Sequence, residues 1–292
     1  MHFIPRSLRQ QYGRLHQRYR GYRQAQRNQQ AVHAAVDPQR LFLRQALQQL
    51  LGCSDSWLLE TVREYYACPA AWKLLSGLRS PTRQTDGFAK SLDVAEGFAL
   101  WALVKQQKPQ VVVELGSQYG ISARLWKEAL KHYVPQHELI LCDLEDKRKF
   151  IDNRECTFLQ GDARETLKQV FATRQVHLLH NDAHPYDLIH WSLAEGLRQH
   201  IPIFTFHDVG GYQLRGGPFK PESATLPLAE KQKYSEDYGP YGAWERHAMA
   251  EVFDQRLITQ DFVVTPEWRI QIFDSFLGFG VALHNDRAEV HP

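Results

Sequence analysis

"VVVELGSQYGIS", residues 111–122, decides how this chain folds. Three valines, a glutamate and a leucine run into Gly116, and Gly120 follows four residues later. A mostly apolar run of this length reads as a buried strand. Glycine then permits a tight turn and lets a ligand approach the backbone. "ISARLWKEALKHY" continues with helical spacing, so the unit is strand, glycine turn, helix. It is not the dinucleotide fingerprint G-x-G-x-x-G. Counting from Gly116, Gln118 and Ile121 stand where the other glycines belong. A nicotinamide dehydrogenase is therefore disfavoured.

The pattern repeats outward from this unit. "SLDVAEGFALWALVKQQ" precedes it as a helix. "HELILCD" and "TFLQGD" follow as strands, then "ARETLKQVFATR" as a helix and "VHLLHND" as a strand. "YDLIHWSLAEGLRQH" is a helix and "IPIFTFHD" a strand. Alternation of this kind predicts a mostly parallel sheet covered by helices on both faces. After the helix "GAWERHAMAEVFDQR", the segments "DFVVTPEWRIQIF" and "FLGFGVALH" read as an antiparallel hairpin at the sheet edge. Ligands of such sheets sit beyond the carboxyl ends of the strands. The chemistry is expected at Glu114–Gly120, Asp143, Asp162, Asp182–His184 and His207–Asp208, where the strands turn polar.

The acids at these ends suit one cofactor. Glu114, inside the turn, suits a cationic amino-acid portion, directly or through water. Asp143 ends the next strand, where a carboxylate accepts both hydroxyls of a ribose. Asp162, in "GDA" at 161–163, suits an adenine amino group. Each acid alone has an ordinary alternative as a polar strand end. Their ordered occurrence is the signal.

Composition sets the limits. The chain has 292 residues, 43% hydrophobic and 23% charged, with a formal net charge of +2. It reads as globular, and nothing in its overall charge points to nucleic acid. No run of about 18 apolar residues is present, and "MHFIPRSLRQQYGRL" lacks the apolar core of a signal peptide. Cys53, Cys68, Cys142 and Cys156 form no C-x-x-C pair and read as free thiols of a cytoplasmic protein.

The charge is uneven. Residues 1–36 carry seven arginines and no acid, which leaves −5 for the rest of the chain. Leu8, Tyr12, Leu15, Tyr19 and Tyr22 share one helical face. This basic helical arm is read as an exposed helix. Its alternatives are an oligomerisation contact, as in a homo-oligomer, or a contact with an anionic membrane surface or another anionic partner. Residues 37–87 form a helical cap and linker. Asp37 and Pro38 start its first helix and Gly52 stops it, and shorter helices follow around 56–66 and 70–76. The catalytic region is residues 88–292.

From about Ser91 to His284, two-thirds of the length, the sequence resembles class I S-adenosylmethionine-dependent methyltransferases. "ELGSQYGIS" resembles their first motif, and "LDVAEGFALWALVK" resembles the helix before that motif in metal-dependent O-methyltransferases. "HPYDLIHWSL", "TFHDV", "GAWERHAMAEVF" and "LGFGVAL" resemble a subgroup acting on antibiotic sugars and related small molecules. The resemblance implies a Rossmann-like, mostly parallel seven-stranded sheet with an antiparallel C-terminal hairpin. It implies S-adenosyl-L-methionine as cofactor, held by Glu114, Gly116, Ser117, Tyr119, Gly120, Ser122, Asp143, Asp162 and Ala163.

It also gives meaning to "HLLHNDAHPYDLIH", 177–190. In the subgroup the fourth strand ends acid-Gly-acid-His-x-Tyr and the fifth ends in His-Asp or two acids. Here the first reads Asn181-Asp182-Ala183-His184-Pro185-Tyr186. With one residue deleted, Asp182 is the metal ligand; without a deletion, Asn181 takes that place. Asp182, Asp208 and His207 are the candidate ligands for Mg²⁺ or another divalent cation. His184 is the candidate general base for an acceptor hydroxyl, with His207 in reserve and Asp182 beside them. His177 and His180 are expected to pack and hydrogen-bond within the strand. His190 and His200 are expected to carry no chemistry.

The stretch 209–242, rich in Gly, Pro and Tyr, is too long for an ordinary connection and reads as a lid. Tyr212, Phe219, Tyr234, Tyr238 and Tyr241 can stack on a ring or sugar, and Arg215 and Lys220 can hold an anionic group. The expected activity is methyl transfer to a hydroxyl of a small molecule or glycosyl group. Two alternatives stand beside it: N-methylation or methylation of a membrane-associated glycan or lipid-linked acceptor, and a non-catalytic cofactor-binding assembly protein.

Overall fold

The computed structural model describes residues 41–72, 92, 94–118, 120–146, 148, 155–183, 185–209, 244–273 and 278–287. The arm 1–36, the linker 78–87, the lid beyond Val209, Tyr119 and His184 lie outside the described residues. The chain divides into two compact units, Met1–Phe42 and Leu43–Pro292, and the sheet belongs to the second.

Five parallel strands form one side of an eight-stranded sheet ordered β3-β2-β1-β4-β5-β8-β7-β6. They are β1 (Val111–Leu115), β2 (Glu138–Asp143), β3 (Thr157–Gln160), β4 (Leu178–Asn181) and β5 (Ile203–His207). The Rossmann-like, mostly parallel sheet with an antiparallel C-terminal end expected from the sequence is the one observed, with one strand more. The apolar run 261–273 is not one strand, because Thr265-Pro266-Glu267 breaks it. Thr265 Oγ1 accepts from the Trp268 N–H at 2.9 Å, and the Thr265 N–H donates to the Trp268 carbonyl at 2.8 Å. This separates β6 (Phe262–Val264) from β7 (Trp268–Phe273). Strand β8 (Phe279–His284) then inserts between β5 and β7, antiparallel to both, and β6 takes the edge.

Helices cover both faces because alternate strand residues are apolar on both. Val112, Leu139, Leu141 and Leu178 pack on the face of α1 (Leu41–Leu51), α2 (Asp55–Ala67), α3 (Val94–Gln107) and α4 (Ile121–Tyr133). Val113, Leu115, Ile140 and Leu179 pack on the face of α5 (Ala163–Thr173), α6 (Tyr186–Arg198) and α7 (Trp244–Val252). Strand register therefore fixes which side of each strand end a functional residue occupies.

The cap helix α2 is tied to the first face by a polar knot. Tyr133 Oη donates to Glu64 Oε2 at 2.6 Å, Lys105 Nζ donates to the same oxygen at 2.7 Å, and Trp101 Nε1 donates to Tyr133 Oη at 2.8 Å. Among the described residues, no helix is long and apolar enough to cross a membrane, and all four cysteines are free thiols.

The chain runs β1 to β2 to β3 on one side and returns through β4 to β5 on the other. Strand order thus reverses between β1 and β4. That is where an open parallel sheet leaves a crevice at its carboxyl edge.

Candidate active site

The turn after β1 forms one wall of that crevice. Gly116 adopts φ +84° and Gly120 φ +66°, and Gln118 between them is also left-handed at φ +41°. The Gln118 N–H donates to Asp143 Oδ2 at 2.9 Å, and the other Asp143 oxygen accepts from the Glu145 N–H at 3.0 Å. Asp143 thus clamps the β1 turn to the β2 end. Gly120 caps α4 without a side-chain hydrogen bond, and Ser117 is buried with an unpartnered hydroxyl.

Glu114 lies beneath this turn, fully buried. Its Oε1 accepts from Ser122 Oγ at 2.8 Å, while Oε2 is buried without a hydrogen-bond partner. Burial pushes its carboxyl up to about 8. The Ser122 hydrogen bond opposes this, and the negative charges of Asp182 and Asp143 reinforce it. Trp126 makes a smaller lowering contribution, although its indole N–H is outside hydrogen-bonding geometry.

Asp162 stands at the third strand end as the N-cap of α5, accepting from the Arg164 N–H at 2.9 Å. The Arg164 guanidinium grips the same carboxylate and reaches Asp187 Oδ2 on α6 at 2.7 Å. Hydrogen bonding from that guanidinium holds Asp162 below the usual carboxylate range. Ala163 is buried as the first residue of α5. Sequence reasoning overlooks Arg164, whose local signal is the spacing Asp-x-Arg. The same pairing occurs at Asp146–Arg148 and Asp254–Arg256. It also overlooks Leu144, an apolar side chain 67% exposed beside Asp143.

The second wall gathers Asp182, His207 and Asp208, each offering one ligand atom within 4.8 Å of the others. His207 Nδ1 lies 2.9 Å from Asp182 Oδ1 and 3.5 Å from Asp208 Oδ1. Its Nε2 lies 3.7 Å from Glu96 Oε2 on α3. Burial alone would lower the imidazole's affinity for protons. The charges of Asp208 and Asp182, the hydrogen bond to Asp182 and the nearby Glu96 carboxylate outweigh burial and raise it well above its ordinary value. Asp208 adopts φ +62°, an uncommon conformation for a non-glycine residue.

Asn181 is turned elsewhere. Its amide donates to Ser192 Oγ at 2.7 Å and its oxygen accepts from the Ala183 N–H at 3.1 Å. Of the two readings of "NDAHPY", the geometry places Asp182, not Asn181, against His207. The flanking histidines serve the sheet. His180 Nδ1 lies 2.9 Å from Thr205 Oγ1, and burial pushes its imidazole down to about 4, so it is neutral. His177 Nδ1 accepts from the Val111 N–H at 3.3 Å.

The two walls meet at one point. A Cβ on Gly116 would lie 2.4 Å from the Asp182 carbonyl oxygen. The Asp182 N–H, in turn, donates to the Leu115 carbonyl at 2.9 Å. The residues fit the cofactor that the sequence implies. One buried carboxylate oxygen and one buried hydroxyl lack partners beside a glycine turn, and an acid stands at each of the next two strand ends. They also fit a divalent cation, with two carboxylates about a fifth exposed and one buried imidazole converging.

No family model and no curated protein sequence matches the chain. Among solved structures it is similar to the SAH-bound methyltransferase PaMTH1 of Podospora anserina, at 17% identity. That alignment covers 76% of this chain and 94% of that one, with a TM-score of 0.47. It is similar to the O-methyltransferase TomG of Streptomyces achromogenes, involved in tomaymycin synthesis and solved with SAM. There the identity is 16%, the coverage 79% and 97%, and the TM-score 0.48. It is also similar to MycE of the mycinamycin biosynthetic pathway, solved with Mg, SAH and mycinamycin VI. There the identity is 15%, the coverage 77% and 57%, and the TM-score 0.43.

Proposed function

We propose that this chain is an S-adenosylmethionine-dependent O-methyltransferase acting on a hydroxyl of a small molecule or glycosyl group, assisted by a divalent cation. One observation carries the reading. The glycine turn that suits the cofactor and the Asp182–His207–Asp208 cluster that suits a cation touch through Gly116 and Asp182. A methyl donor and an activated acceptor need that adjacency, because in-line transfer requires the two reactants side by side.

When bound, S-adenosylmethionine supplies a methyl group on sulfonium, which leaves a neutral thioether and needs no acid. A cation bound to an acceptor oxygen lowers the pKa of its hydroxyl. The chain's residues do the rest. Glu114 compensates the ammonium of the cofactor, directly or through water. Asp143 receives the ribose and Leu144 offers apolar cover for the base. Asp182, Asp208 and His207 hold the cation, and His184 takes the acceptor's proton.

Calorimetric titration of the chelated full-length protein with S-adenosylhomocysteine tests the cofactor half. Saturable one-to-one binding without metal is expected, with little change when Mg²⁺ or Mn²⁺ is added. Absence of binding under both conditions overturns the reading. Once a screen of hydroxylated compounds finds an acceptor, His184→Ala is expected to lower turnover by about 100-fold or more, the scale of general-base catalysis. S-adenosylhomocysteine affinity should stay unchanged. Wild-type turnover in that variant removes His184 from the role of base.

A further inference from the structure

We infer that Glu96 is a positioning residue for His207, fixing which ring nitrogen faces Asp182 and Asp208. The cation site thereby gains a nitrogen donor. The inference rests on the cation reading above and deepens it.

Glu96 comes from the first turn of α3, far from His207 in sequence. It is 1% exposed, on a helix whose neighbouring buried residues are Gly97, Phe98, Ala99, Leu100 and Trp101. A carboxylate buried in such company is costly unless something polar answers it. His207 is one such group. It too is 1% exposed, and its Nε2 is buried without a hydrogen-bond partner, 3.7 Å from Glu96 Oε2. That is an ion-pair separation, slightly longer than a hydrogen bond. The opposite nitrogen, Nδ1, faces both aspartates.

An imidazole presents a lone pair from one nitrogen only when its proton sits on the other. A carboxylate behind the ring fixes that choice and makes the facing nitrogen a better ligand. Glu96 stands where such a carboxylate must stand. With Nε2–H held toward Glu96, Nδ1 is offered between Asp182 and Asp208. Two carboxylates alone suit Mg²⁺, which prefers oxygen. An added imidazole nitrogen shifts preference toward first-row transition ions such as Mn²⁺. Glu96 therefore determines which cation the enzyme takes, without touching it.

The test is cation binding to the full-length, chelated protein. Mn²⁺ is titrated with free ion read by electron paramagnetic resonance, and Mg²⁺ is measured by competition. Wild type is expected to bind Mn²⁺ at least about tenfold more tightly than Mg²⁺. Bound Mn²⁺ should show pulsed-resonance coupling to one ¹⁴N nucleus, which His207→Ala removes. Glu96→Gln is expected to lose about 10- to 100-fold in Mn²⁺ affinity, with a smaller loss for Mg²⁺ and a weakened ¹⁴N coupling. Thermal unfolding checks that each variant is folded. Glu96→Asp keeps the charge on a shorter arm and is expected to fall between. It carries the comparison if Glu96→Gln does not fold, an unchanged Mn²⁺ affinity there counting against the inference. Wild-type affinity and selectivity in Glu96→Gln, or no ¹⁴N coupling in wild type, overturns the role of Glu96 alone. If wild type binds neither cation, the cation reading falls and this inference with it, while S-adenosylhomocysteine binding still reports on the cofactor site.

Discussion

Gly116→Ala is expected to destabilise the protein strongly and to damage both halves of the site at once. Gly116 sits at φ +84°, where an L-residue with a side chain is strained by about 1–2 kcal/mol. The added methyl would also lie 2.4 Å from the Asp182 carbonyl oxygen, 2.7 Å from its carbon and 3.0 Å from the Ala183 nitrogen. All three are backbone atoms at a strand end, so no rotamer change relieves the clash. Overpacking of this kind adds about 1–3 kcal/mol. Together the effects are on the order of 2–5 kcal/mol, a fall in melting temperature of roughly 10 °C for a domain of this size. Relief requires β1 and β4 to part at their carboxyl ends, which carries Asp182 away from His207. The expected result is a lowered melting temperature together with weakened binding of both S-adenosylhomocysteine and Mn²⁺. A variant that melts like wild type would show that the two strand ends do not meet this closely.

That contact illustrates what a sequence does and does not disclose. Strands β1, β2 and β4 are readable because doubly buried strands are mostly apolar and end abruptly in Gly116, Asp143 and Asn181-Asp182. The topological rule then places the acids on one edge of the sheet without any knowledge of side chains. The eighth strand escapes a reading by periodicity, because "TPEW" is a turn signal set inside an apolar run that continues past it. Asp162 can be placed at a helix start, but its pairing with Arg164 and Asp187 depends on α5 and α6 lying side by side. Glu96 is the least legible residue of all. One acid in an apolar helix carries no local signal, and its meaning comes from a histidine brought to it across the sheet. Local pattern reveals the scaffold and the strand-end residues; the side chains that support them are chosen by tertiary packing.

Glu114→Gln is expected to make the protein more stable and, at the same time, to lower its affinity for the cofactor. Burial holds the Glu114 carboxyl at about 8 against an ordinary value of 4.5. The folded state therefore binds the proton more tightly than the unfolded chain does. Stability from this group is fully present below about pH 4.5 and is lost as pH rises toward about 8, because the unfolded chain ionises first. Each tenfold difference in proton affinity between the two states is worth about 1.4 kcal/mol, so a few kcal/mol are lost by pH 8. Glutamine keeps the shape and an acceptor for Ser122 Oγ but never ionises. The variant should melt close to wild type near pH 4.5 and well above it at pH 8, in unfolding scans across that range. Binding should move the other way. Glu114 Oε2 is buried without a partner, and an ammonium group arriving at the turn would favour the ionised form, releasing a proton near neutral pH. Calorimetry in buffers of different ionisation enthalpy would detect that release in wild type and its absence in Glu114→Gln. Removing one member of a buried charge pair costs about 2–5 kcal/mol, so affinity should fall by about 30-fold or more. A structural role alone predicts that stability and binding fall together. Opposite movement of the two would mean that Glu114 is held at a cost to the fold because the cofactor needs its charge.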